Sequence, residues 1–85
     1  MTGKYASLEK YLAGLQTSMQ EVTMTFEQIE RILNDRLPAS ASRHKEWWHN
    51  ESEGSHVQAH AWMNAGWLVD SVDQRNGWVR FQREE

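Results

Sequence analysis

The sequence predicts an α+β fold of winged-helix-like order, with three to four helices, a short early strand and a C-terminal β-hairpin in one domain spanning residues 1–85. Three observations predict it. Apolar residues recur at helical spacing near the start and again around residue 30. Between those stretches Glu21 to Thr25, EVTMT, alternates polar and apolar residues and is rich in β-branched ones, as a strand would be. At the other end two strand-like runs flank Asn76-Gly77, a strong turn dipeptide.

Tyr5, Leu8, Tyr11, Leu12 and Leu15 fall at spacings of three and four, which predicts a helix over 5–16 with those residues on its buried stripe. After the EVTMT strand, Thr25 opens T-F-E-Q, a capping box in which Gln28 reaches back to its N-cap. That helix runs from about Phe26 to Asn34, with Phe26, Ile29, Ile32 and Leu33 inward. Pro38 blocks continuation, because Leu37 before it is pushed out of helical geometry. Ser40 is placed to cap a short helix reaching about Trp47. Residues 50–55, NESEGS, read as a loop. Ser55 opens S-H-V-Q, a second capping box, for a helix from His56 to Ala65 anchored by Trp62. Gly66 suits the left-handed position beyond its end. Trp67 to Asp73 and Trp78 to Arg83 are the hairpin strands, with Leu68 and Val72 sharing one face and Val79 and Phe81 sharing one face.

Composition limits the function. Eighty-five residues give one small core. With no Cys there is no disulfide, thiol nucleophile or Cys-ligated zinc, and a cytoplasmic protein of a bacterial cell or phage-infected host is the natural expectation. No apolar run approaches the roughly 20 residues that span a bilayer, and the opening MTGKYASLEKYL lacks signal-peptide form. No Gly-rich phosphate loop, GxSxG or carboxylate pair points to catalysis, so no enzyme activity and no cofactor is expected. His56 and His60 stand at i and i+4, and His44 or His49 could add a third metal ligand. Without Cys or an HExxH pattern, however, helix capping accounts for the spacing as well as a metal does.

The net charge of −3 conceals two basic islands. Residues 36–45 carry Arg36, Arg43 and Lys45 with no acid, and Arg75, Arg80 and Arg83 lie in an acid-free stretch of the hairpin. Between them, the segment from Arg43 to Trp67 holds four of the five Trp and all four His. In a winged helix the last helix before the wing enters the major groove, and here it would present His56, Gln58, His60 and Asn64 to base edges. Arg43 and Lys45 would hold phosphate on one flank, with Arg75, Arg80 and Arg83 in or near the wing on the other. Trp47 and Trp48 point in different directions, so one can be buried while the other stacks on a base beside Asn50. In the competing description, Trp48 completes the core, Asn50 closes the following loop, and the polar helix face is simply solvated. The expected partner is DNA or another nucleic acid, for a small regulator or phage accessory factor. The alternative is a protein-interaction module that binds a host protein or a second copy of itself, which five Trp and the acidic balance favour.

The ordered residues Thr25, Phe26, Ile29, Glu30, Ile32, Leu33, Leu37, Pro38, Ser40 and Ala41 continue into Trp47, Trp48 and Asn50. They lead on to His56, Gln58, Ala59, Ala61, Trp62, Ala65, Gly66 and Trp67, with Val72, Asp73, Val79 and Phe81 in the hairpin. This series, LPxSA…WWxN…HxQAxAW…AGW, resembles a small bacterial and phage domain family of unknown function. The resemblance implies an autonomous α+β domain and brings no activity with it. The acidic loop with Glu51 and Glu53 is longer than the family pattern, and its charge would oppose phosphate beside Trp48.

Overall fold

The computed structural model describes residues 3–51 and 57–84. In chain order it has α1 (Ala6–Ala13), β1 (Glu21–Thr25), α2 (Phe26–Leu33), α3 (Ser40–Arg43), a 3-10 turn (Lys45–Trp48), α4 (Val57–Asn64), β2 (Trp67–Asp73) and β3 (Trp78–Arg83). Among the described residues the fold is α+β, four α-helices with one antiparallel sheet of order β1-β3-β2.

The first helix is shorter than its apolar stripe and ends at Gly14. Taking Leu8 as zero at 100° per residue, Tyr5 and Leu12 lie on one side and Tyr11 about 60° to the other. The helix is rolled toward the first side, so Tyr5, Leu8 and Leu12 are buried while Tyr11 is 43 % exposed.

The capping box at α2 forms as expected. Gln28 N donates to Thr25 Oγ1 at 3.0 Å and Thr25 N donates to Gln28 Oε1 at 2.9 Å. Thr25→Ala should cost about 1 kcal/mol and Thr25→Ser much less, read from urea midpoints. Asn34, in the left-handed region at φ 56°, ends the helix four residues before Pro38. Glu30 Oε2 accepts from Leu37 N at 2.9 Å and holds the outgoing chain. The expected helix from Ser40 to Trp47 is instead two pieces, broken at His44, whose backbone is extended. Ser40 lies inside α3 and makes no side-chain cap. The proposed capping box at Ser55 and His56 lies outside the described residues.

A bulge lies between Val69 and Ser71 of β2. It resets the alternation, so Val69 pairs with Phe81 and Val72 with Val79 on the core face, and Leu68 does not share the face of Val72 as simple alternation predicts. On the same face Met24 of β1 pairs with Val79 and Val22 with Phe81. The helices cover this face: Leu8 and Leu12 from α1, Ile29 from α2, Ala41 from α3, and Ala59 and Trp62 from α4. Glu21, Thr23 and Gln82 stay exposed on the other.

Candidate nucleic-acid interface

Three of the residues expected to meet bases are the structural centre of the domain. Trp48 is 2 % exposed. Its ring lies between Phe26 and Trp62, near-parallel to both, with centroids 5.1 and 5.7 Å away. Trp47 meets it edge-on at 4.6 Å, and the Trp48 Nε1 donates to the Ala41 carbonyl at 2.8 Å. Both faces of the indole are occupied, so Trp48 offers no surface to a base. Gln58 is also buried, at 7 % exposure, and its amide donates to the Trp47 carbonyl at 3.0 Å. It faces the core because the buried side of α4 runs through Gln58, Ala59, Ala61 and Trp62.

Asn50 uses both the oxygen and the nitrogen of its amide internally. Oδ1 accepts from Trp62 Nε1 at 2.9 Å and from Val69 N at 2.8 Å, and Nδ2 donates to the Val69 carbonyl at 3.0 Å. The side chain thus occupies the hydrogen-bonding position of a neighbouring strand at the β2 edge. The WW, N and QAxAW motifs are therefore one connected unit: Gln58 holds the Trp47 backbone, Trp62 stacks on Trp48, and Asn50 ties Trp62 to the sheet.

Other expected contacts are also engaged. Arg80 Nε donates to Asp70 Oδ2 at 2.9 Å, a half-exposed ion pair on neighbouring strands. Arg83 lies over the Trp67 ring at 4.3 Å and donates to the carbonyls of Met19 and Gln16 at 2.7 and 2.8 Å, holding the chain between α1 and β1. His60 is half-buried and lines a groove between α1 and α4 with Tyr5, Glu9 and Val57. His56 lies outside the described residues. Among those described, no three His, Asp or Glu side chains converge as a metal site.

Arg43, Lys45 and Arg75 are exposed, and the fold brings their segments together. Gln74, at the start of the hairpin turn, donates from Nε2 to the Ala41 carbonyl at 2.9 Å, the same oxygen that Trp48 reaches. The turn is docked on α3 by this bond, and Gly77, at φ 73°, sits beside Phe26 and accepts from its N–H at 2.8 Å. Asp73 shapes the turn by accepting from Asn76 N and Asn76 Nδ2 at 2.9 and 2.8 Å. Those hydrogen bonds, helped by the Arg75 charge, hold its carboxyl below the usual carboxylate range. Gln74 carries no signal in the sequence, since a glutamine in a hairpin turn is ordinary until its partner is known.

Residues 5–84 match the model of a family described as Domain of unknown function (DUF7662). No curated protein and no solved structure matches the chain.

Proposed function

The chain belongs to the DUF7662 family, and we propose that it binds nucleic acid, DNA in particular, through the end of the molecule built by α3, the 3-10 turn and the hairpin turn. The observation that carries this reading is the Gln74–Ala41 contact, which joins the two basic islands. Arg43, Lys45 and Arg75 supply the phosphate contacts, with His44 exposed between the first two. Arg43 and Lys45 form no ion pair among the described residues.

A winged-helix arrangement supports the same reading. The order of helix, strand, helices and hairpin, with a sheet running β1-β3-β2, suits that plan, and the hairpin turn with Arg75 is then the tip of the wing. Base readout is the weaker part. Gln58 is committed to the core, which leaves Asn64 as the exposed amide of α4. Binding therefore rests on phosphate more than on sequence, as suits a small regulator or accessory factor.

The expected result is saturable binding of a labelled duplex at low salt, with log K falling against log salt at a slope of about −3 for three phosphate contacts. In the Arg43→Ala, Lys45→Ala, Arg75→Ala triple variant both affinity and slope should collapse. Anisotropy of the labelled DNA is the readout, because Trp48, Trp62 and Trp67 are enclosed and add a constant background to the emission of the partly buried Trp47 and Trp78. Equal binding by the triple variant would refute the site. A protein-interaction module is the second reading, favoured by the net charge of −3 and by Val57 at 58 % exposure on α4. An absence of duplex binding at low salt would favour it.

A further inference from the structure

The two edges of the sheet are treated differently. At β2 the bulge interrupts the strand and the Asn50 amide closes Val69 N–H and C=O. The β1 edge is regular, with every residue in register against β3, and it carries no Lys, Pro or bulge of the kind that protects an edge. Gln20 O accepts from Arg83 N and Phe26 N donates to Gly77 O, which fixes which β1 residues face β3. By alternation the N–H and C=O groups of Glu21, Thr23 and Thr25 point away from it.

Only part of that row is open. Thr25 N is taken by Gln28, Met19 N donates to Gln16 O, and Met19 O accepts from Arg83. The open window is therefore Glu21 and Thr23, two donors and two acceptors. A strand added here in antiparallel sense from an identical chain satisfies all of them in one register, with Glu21 opposite the mate's Thr23 and the two-fold axis at Val22. Shifting the axis to Glu21 sets like charges face to face and meets the occupied Met19 groups. Shifting it to Thr23 meets the occupied Thr25 amide. The side chains agree with the central register. Val22 is half-buried, and Tyr11, 43 % exposed, lines one groove with Val22 and Ile32 beside the strand. Across the axis the two Val22 side chains would occupy the closely spaced, non-hydrogen-bonded position and cover one another.

We propose that β1 is a dimerisation edge: it pairs with β1 of a second copy about Val22 and continues the sheet to six strands. Such a contact is isologous and closed, so it ends at two chains.

Sedimentation of the native chain over a wide concentration range should show a reversible monomer–dimer equilibrium. Thr23→Pro removes an outward N–H without touching the β3 pairing and should weaken the dimer at least about tenfold. Because the chain has no Cys, Val22→Cys gives a unique thiol at the axis. With oxidised glutathione it should form a disulfide-linked dimer at least about tenfold faster than Thr23→Cys, whose mate lies diagonally. A native chain that remains monomeric at every concentration overturns the proposal whatever the variants do, and would point to a different partner for this edge. Equal cross-linking of the two Cys variants overturns the register.

Discussion

Trp62→Ala should lower the unfolding free energy by about 3–5 kcal/mol. Trp62 is fully buried, stacked at 5.7 Å on Trp48, and in contact with Trp47 and Phe81. Removing it leaves a ring-sized cavity at the point where α4, the 3-10 turn and β3 meet. It also takes away the donor that holds Asn50. At roughly 0.05–0.15 kcal/mol per residue, a domain this size has about 4–13 kcal/mol in total. The variant should therefore unfold at a much lower urea concentration than the native chain, its remaining Trp emission shifting to the red as it does. Trp62→Phe keeps a ring in the stack and loses the Nε1 donor, so its loss should be near half as large. A loss below about 1 kcal/mol for Trp62→Ala would mean that the aromatic stack is not the core.

Asn50→Ala should cost about 2–3 kcal/mol although the residue is exposed, because it leaves buried Trp62 Nε1 without its acceptor and opens both Val69 backbone groups. Asn50→Asp separates the two functions of the amide. The acceptor for Trp62 and Val69 N survives, but an oxygen then faces the Val69 carbonyl. At neutral pH Asp should be at least as damaging as Ala. Denaturant midpoints of the Ala and Asp variants at neutral pH check this, and an Asp variant as stable as the native chain would contradict the bonding scheme.

Much of the fold is legible in the residues because local signals and tertiary packing agree. The Thr25 capping box, the alternation of EVTMT and the Asn76-Gly77 turn act over a few residues, and each forms where it is expected. Departures arise where geometry is decided at a distance. The β2 bulge changes which of Leu68 and Val69 faces inward, and nothing in WLVDSVD requires it. The break at His44 lets Trp48 reach Ala41, a contact with no local signature.

The site is less legible in the sequence for a chemical reason. An amide that can read adenine is the same group that can bind a backbone carbonyl, and an indole that can stack on a base stacks equally well on another indole. Gln58, Asn50 and Trp48 satisfy either description until their partners are known. The basic islands are visible as composition, but their meeting depends on Gln74. The ordered motif series thus describes how the domain is held together, and the proposed binding end lies on less distinctive residues beside it.

Amide chemical-shift mapping of the labelled chain, titrated with a short DNA duplex at low salt, locates the binding end residue by residue. Perturbations should concentrate at residues 40–46 and 74–77, converging from α3 and the hairpin turn, with the interior of α4 nearly still. Perturbations centred on α4, or none at any ratio of DNA to protein, would contradict the proposed binding end.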